Sequence, residues 1–320
     1  MDASTQPVEV VAGVIRDAQG RVLVSRRPPG RHLENLWEFP GGKREPGESH
    51  AHALQRELQE ELGIDSVQCQ PLVSVTHHYP EKTIRLWLFE VTEYAQEPYG
   101  REGQDVQWVP VAKLAELELP AADRPLVKVL PLDGRYAISL DPTAFESRSA
   151  FFARWQACLQ SGFRLLRLRA QGDGLQRIRD WLPELNAMTH AHDARWLVSG
   201  NLADCLAAPA DGIHLNRHQL SGLTQRPVPN EKLLAASCHN TAEIEQAEII
   251  DADFVLLSPV QNTPSHPQAQ GMGWDRFSEQ VAESPLPVFA LGGLQPQDLD
   301  RARSLGAFGV AGISNFGWSR

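Results

Sequence analysis

Apolar positions recur along this chain in two rhythms. Val8 to Ile15 is a Val-rich run bounded by the turn residues Asp17–Gly20, and Val22 to Ser25 follows it, a spacing that predicts a β-hairpin. The period then lengthens. Between Ser49 and Leu62, Leu54, Leu58 and Leu62 fall at i, i+4 and i+8, the stripe of a helix that docks on a sheet. Gly63 stands where a left-handed C-cap is wanted. Thr83–Val91 and Val106–Pro110 read as further strands, and residues 121–131 as a short helix. Residues 1–131 therefore predict an α/β/α sandwich around a mixed sheet, with the Pro-Leu-Asp-Gly run at 131–134 as the junction to whatever follows.

From Tyr136 the pattern changes. YAISL, FRLLRLRA, RWLVSG, DGIHLN, KLLAASC, DFVLLSPV, PVFALGG and FGVAGIS are eight short apolar runs, most of them separated by segments of helical spacing such as TAEIEQAEII and QPQDLDRARSLG. Strands without polar alternation, interleaved with helices, predict a parallel sheet covered on both faces. Eight such units within residues 135–320 predict a (β/α)₈ barrel. The stretch between DGIHLN and KLLAASC carries a weak helical pattern, so that unit is expected to be irregular.

Charge narrows the classes of function. The net charge of -10 argues against a general nucleic-acid binder, which needs basic residues to neutralise phosphates. It does not exclude a nucleotide substrate whose charge a metal ion handles. The four cysteines lack CxxC spacing and fit free thiols in a reducing compartment. The N-terminal stretch has no basic n-region, and no run reaches the roughly 18 apolar residues of a membrane helix. A soluble cytoplasmic protein without a membrane partner is the expectation.

One helix carries an electrostatic liability. Glu57, Glu60 and Glu61 share one arc at i, i+3 and i+4, where like charges cost a few tenths of a kcal/mol. An acidic face in water, partly neutralised by Arg56, would be the ordinary explanation. Immediately upstream lies EFPGGK, whose glycines let a tight loop bring backbone carbonyls to a ligand. A loop followed by a helix with three carboxylates suits a hard divalent cation, which takes oxygen ligands and shares itself with substrate phosphates. Such cations would screen the repulsion and activate a water.

The spacing G-x5-E-x7-R-E-U-x-E-E-x-G-U, with U apolar, is met at Gly42, Glu48, Arg56, Glu57, Leu58, Glu60, Glu61, Gly63 and Ile64, nine constrained positions in 23 residues. On this box the segment is identified as a member of the Nudix hydrolases, which cleave nucleoside diphosphates linked to another group with Mg²⁺ or Mn²⁺. WEFPGGK, TIRLWLF, EPYGREGQ and PAADRP are similar, in order and spacing, to segments of the MutT-type branch that removes oxidised guanine nucleotides. The resemblance implies metal binding by the Gly41 carbonyl and by Glu57, Glu60, Glu61 and Glu102. Arg56, Glu57 and Glu102 would be catalytic, with Glu57 or Glu102 orienting or deprotonating the water. Arg27, His32, Glu38 and Lys82 would contact substrate, and Phe39 and Asp123 would lie near the base. Asp123 is a departure, because that branch has an Asn there. An ionised Asp only accepts hydrogen bonds, whereas a protonated one also donates. The implied reaction is attack at the β-phosphorus of 8-oxo-dGTP, giving monophosphate and pyrophosphate.

The second half resembles the thiamine phosphate synthases through ADGIHLNRHQL, DADFVLLSPVQNTPSHP, PVFALGGL and GAFGVAGIS. Gly292, Gly293 and Gly312 fall in the loops after the last strands, where such barrels hold phosphate, although barrels place glycine at strand ends for packing as well. Gly200 and Gln219 stand where that family has the two aspartates that hold Mg²⁺, and Gln171 and His266 where it has lysines. Little or no synthase activity is therefore expected, and the barrel would serve as a scaffold or as a sensor of a phosphorylated small ligand. His214 and His239 lie near the ends of the fourth and fifth strands. An alternative turns the hydrolase toward thiamine-pathway diphosphates, since fusion of two sites raises effective concentration.

Overall fold

The computed structural model describes residues 6–28, 30, 33–263 and 270–318. The chain divides into two compact units, Met1–Pro131 and Leu132–Arg320. His32 and His266 lie outside the described residues.

Among the described residues, the first unit holds two sheets. β1 (Val8–Val14), β4 (Gly41–Lys43), β5 (Asp65–Tyr79) and β6 (Lys82–Ala95) form one, in the order β4-β1-β6-β5. It is mixed, because β1 runs parallel to β6 while the other pairs are antiparallel. β2 (Val22–Arg26), β3 (Trp37–Glu38) and β7 (Val106–Val109) form the other, antiparallel throughout. The expected hairpin is therefore only half right. Its turn exists, with Gly20 N–H donating to the Asp17 carbonyl, and Arg16 bridges Val22. Its two strands then part into different sheets, because both edges of β1 are already taken by β4 and β6.

Helix α1 (His50–Leu62) begins at Ser49, whose hydroxyl accepts from His52 N–H, and ends at Gly63 with φ 67°. Ala53, Leu54, Leu58 and Leu62 are buried against Val11, Ile15, Val67, Phe89 and Val91. Burial of each leucine contributes about 1.5–3 kcal/mol, which dwarfs the repulsion among the glutamates and fixes their face outward from the core. Gly63 serves a second purpose, because a Cβ there would stand 2.9 Å from the Tyr99 ring. A short helix, α2 (Arg124–Val129), closes the unit and buries Leu126, Val127 and Val129.

The second unit is a closed barrel of parallel strands: β8 (Arg135–Ile138), β9 (Leu165–Arg169), β10 (Arg195–Ser199), β11 (Gly212–Leu215), β12 (Leu233–Cys238), β13 (Phe254–Leu257), β14 (Val288–Leu291) and β15 (Gly309–Gly312). Each lies within one of the apolar runs read from the sequence, except that β8 begins one residue before its run, at Arg135. Alternate residues face opposite ways. Leu166, Leu168, Trp196, Val198, Val255 and Leu257 join the layer under the helices. Tyr136, Phe254 and Phe289 meet inside, with ring centroids 5.0–5.8 Å apart. The weak unit has only the five-residue helix Arg217–Ser221, held by an Asn216–Gln219 capping box. No helix among the described residues is long and apolar enough to cross a membrane.

Candidate active site

Glu57 and Glu61 of α1 face a cavity of about 520 Å³ in the first unit. Three features of the sequence build its acidic end. Gly41, at φ 153°, lies so close to β1 that a Cβ would be 2.1 Å from the Val11 carbonyl oxygen. Its N–H donates to Glu61 Oε2 at 3.1 Å. Gly42 leaves room for the Glu57 carboxylate, whose atoms lie 2.3–2.5 Å from where a Cβ would stand. The glycine pair thus seats two α1 carboxylates against the loop before the helix.

Glu102 arrives from forty residues downstream because its loop is tied to the end of α1. Tyr99 N–H donates to the Leu62 carbonyl, and Arg101 N–H to that of Glu61. Gln104 then donates to the Glu61 carbonyl at 3.0 Å while accepting from Glu102 N–H at 2.9 Å. Tyr99 and Gln104 escaped the sequence reading as positioning residues, although EPYGREGQ contains both.

Electrostatics define what this end wants. Burial raises the pKa of Glu61 to about 8, and the negative fields of Glu38, Glu57 and Glu102 push the same way against the Gly41 N–H. Burial also raises Glu57, opposed by Arg56. Arg56 donates to Glu48 Oε1 at 2.9 Å, to Glu57 Oε1 at 2.8 Å and to the Lys43 carbonyl at 3.0 Å, so it braces loop and helix together. Glu60 is 54% exposed and meets Arg56 Nη1 at 3.4 Å, outside the cavity lining. Among the described residues no three His, Cys, Asp or Glu converge as a ready-made metal cluster. The donors nonetheless fit a divalent cation, because oxygen ligands crowded until one is driven toward protonation are relieved by added positive charge.

The other end of the cavity is apolar, with Leu33, Phe39, Ile84, Leu86, Pro120 and Ala122 in its lining. Asp123 lies here, 6% exposed. Burial first, then the field of Glu38, raises its pKa to about 8, against the Phe39 N–H and the charge of Arg27. Arg27 Nη1 donates to Glu38 Oε2. Lys82, at the start of β6, also lines the cavity. Glu38 acts on both Glu61 and Asp123, so the acidic and apolar ends adjoin. Tyr79, at the end of β5, lines the apolar end and was missed because β5 itself was not read from the sequence.

The comparisons agree with this division of the molecule. A family model described as "NUDIX domain" matches residues 11–129, and one described as "Thiamine monophosphate synthase" matches residues 136–316. An "8-oxo-dGTP diphosphatase" of Escherichia coli is 34% identical over 123 residues, covering 38% of this chain and 95% of that protein. The chain belongs to both families. A "Putative thiamine-phosphate synthase 2" of Aquifex aeolicus is 31% identical over 166 residues, covering 52% of this chain and 89% of the relative. A MutT structure from work on Aliivibrio salmonicida and Vibrio cholerae is 35% identical, covers 38% of this chain and 95% of its own, and gives a TM-score of 0.34.

In the thiamine monophosphate synthase-like barrel, the glycines expected to hold phosphate each have a packing reason. Added Cβ atoms would stand 2.9 Å from Pro259 at Gly292, 2.7 Å from the Asn262 carbonyl at Gly293 and 2.3 Å from the Phe316 ring at Gly312. At the positions of the expected metal-binding aspartates, Gln219 Nε2 donates to the Gly200 carbonyl at 2.8 Å, closing the space on itself. His214 is buried between Tyr136 and Ser237, and His239 bonds Glu243 at 2.8 Å.

Proposed function

We propose that the first unit is a Mg²⁺-dependent pyrophosphohydrolase of purine nucleoside triphosphates, with 8-oxo-dGTP as its preferred substrate and nucleoside monophosphate and pyrophosphate as products. The observation that carries this reading is one cavity with Glu57, Glu61 and Glu102 at one end and an apolar slot ending in Asp123 at the other. A triphosphate and a purine differ in the same way. Gly41, Glu57, Glu60, Glu61 and Glu102 would hold the cation, with Glu60 reaching in from its exposed place on the helix. When bound, Mg²⁺ neutralises phosphate charge and makes water a better nucleophile.

The chain's own residues do the rest. Arg56, which does not line the cavity, holds Glu57 in place. Glu57 or Glu102 takes the proton of the attacking water. Arg27 and Lys82 lie along the cavity where anionic oxygens need partners. The neutral Asp123 offers a donor and an acceptor to the purine edge, as an Asn would. Free cysteines, Cys69, Cys158, Cys205 and Cys238, fit a reducing, cytoplasmic setting. The barrel would not make thiamine phosphate, since Gly200 and Gln219 offer no carboxylate for Mg²⁺.

The test compares kcat/KM on 8-oxo-dGTP, dGTP and thiamine diphosphate with Mg²⁺, using Glu57→Gln as the control. We expect 8-oxo-dGTP to exceed dGTP, and Glu57→Gln to lose activity by at least about 100-fold. A thiamine diphosphate turnover above both nucleotides would refute the substrate assignment. Formation of thiamine phosphate by the intact protein would refute the statement about the barrel.

A further inference from the structure

Tyr79 has no part in the chemistry proposed above, yet the fold places it at the slot that ends in Asp123. It is the last residue of β5 and pairs with Lys82 across a tight turn. It therefore faces the same side of the sheet as Lys82, Ile84 and Leu86, which also line the cavity. His77, two residues earlier on that face, meets its ring edge-on with centroids 4.5 Å apart and holds it in place. The hydroxyl accepts from the Ala122 N–H, and the charges of Asp123 and Arg27 act on it. Burial, against that N–H, raises its pKa above the ordinary phenol value, so it keeps its hydrogen at neutral pH. Asp123 ends a turn closed by its own N–H to the Pro120 carbonyl at 3.1 Å. It stands at the N-cap of α2 without a side-chain bond to that helix, although Asp ordinarily caps from such a place. Its carboxyl accepts from the Phe39 N–H instead.

Guanine and 8-oxoguanine differ along one edge. Oxidation turns N7 from an acceptor into an N–H donor and adds a carbonyl oxygen at C8, so the edge presents O6, N7–H and O8 in order. Neutral Asp123 supplies one donor and one acceptor, enough for O6 and N7–H. Its proton can sit on either oxygen, so the same carboxyl also fits the 6-amino group and N7 of adenine. Asp123 alone therefore leaves part of the discrimination undone. The next acceptor along the edge is O8, and the Tyr79 hydroxyl, bonded to the residue before Asp123, is the donor beside it. A phenol hydroxyl keeps its hydrogen in the ring plane. With one side of the oxygen given to the Ala122 N–H, the hydrogen takes the other side. We infer that the Tyr79 hydroxyl donates a hydrogen bond to the C8 oxygen of an oxidised purine, and so supplies a preference for 8-oxopurine nucleotides over their normal counterparts, whether guanine or adenine. This rests on the nucleotide reading of the first unit and adds to it the residue and the atom that read the oxidation.

The experiment measures kcat/KM of the intact protein with Mg²⁺ on 8-oxo-dGTP, dGTP, 8-oxo-dATP and dATP, for the wild type and Tyr79→Phe. The wild type should prefer the oxidised member of each pair. Tyr79→Phe keeps the ring and its contact with His77. It should shrink both preferences about tenfold, because the C8 oxygen is left unpaired in the slot, and most of the loss should fall on the two oxidised substrates. A loss shared equally by all four nucleotides would overturn the inference, since it would make Tyr79 a structural support of the Ala122 turn. A loss confined to the two guanine nucleotides would overturn it by placing the hydroxyl on O6. Unchanged preferences would overturn it outright. These three outcomes leave the nucleotide reading standing. Failure of the wild type to hydrolyse any of the four would refute that reading, and the inference with it.

Discussion

Asp123 gives the sharpest prediction, because its charge state sets both stability and recognition. Asp123→Asn keeps the size of the side chain and keeps one donor and one acceptor, but it cannot ionise. In the folded protein the Asp123 pKa is raised from 3.8 to about 8. An acid with a raised folded pKa contributes its full stability below the unfolded value and loses it as pH rises toward the folded value. The wild type should therefore lose stability between pH 3.8 and about 8 on this residue's account and level off above that. One pKa unit corresponds to about 1.4 kcal/mol, so the penalty at pH 7 is on the order of 4 kcal/mol.

The assay is urea unfolding of wild type and Asp123→Asn at each pH from about 5 to 9, read as the difference between the two proteins. Taking the difference removes every other titrating group and the barrel's own transition. Asp123→Asn should be the more stable protein, by a margin that grows through pH 5–8 and then stays constant. The same change should separate the activities above pH 8, where wild type loses its donor to the purine and the variant does not. A stability difference that does not vary with pH would refute the reasoning, since it would mean that Asp123 is already ionised throughout the range.

Three further substitutions probe the scaffold of the same site. Gly42→Ala places a methyl group within 2.3 Å of the Glu57 carboxylate, so kcat should fall by about 100-fold with little change in circular dichroism; a normal kcat would show that Glu57 need not sit against the loop. Gly63→Ala forces a side chain into a φ of 67° and against Tyr99, and urea unfolding should show a loss of about 1–2 kcal/mol. Arg56→Lys cannot span Glu48, Glu57 and the Lys43 carbonyl together, so kcat should drop about tenfold or more while KM changes little; a change confined to KM would place Arg56 on the substrate instead.

What the sequence disclosed depended on how strongly burial dictated the pattern. The barrel strands are covered on both sides, so their apolar runs are unbroken and all eight could be read with near-correct limits. α1 was readable to within one residue at its start, and to the residue at its end because Gly63 marks it. β5 was not. Pro71 and the shifts of register between Asp65 and Val73 interrupt its alternation, and its polar residues, such as His77 and His78, disguise its end. The parting of β1 from β2 was hidden for another reason: local spacing specifies a turn, whereas the choice of sheet depends on β6, some seventy residues later. The site divides in the same manner. The acids of α1 announce themselves by crowding. Glu102 was named only through the resemblance of EPYGREGQ; its own surroundings mark it as one glutamate among many, and the ties of Tyr99, Arg101 and Gln104 to the helix end are what bring it in.

Asp123 and Arg167 are both buried charges whose identity is plain in the sequence and whose state only the fold determines. They have different remedies. A carboxylate in an apolar slot near Glu38 can take up a proton at neutral pH, and by doing so it becomes a donor the site can use. A guanidinium has no such escape, because even a pKa lowered to about 10 leaves it charged. The two should therefore respond alike to removal: Asp123→Asn and Arg167→Met should each raise the urea midpoint, the reverse of the usual result for a buried polar side chain.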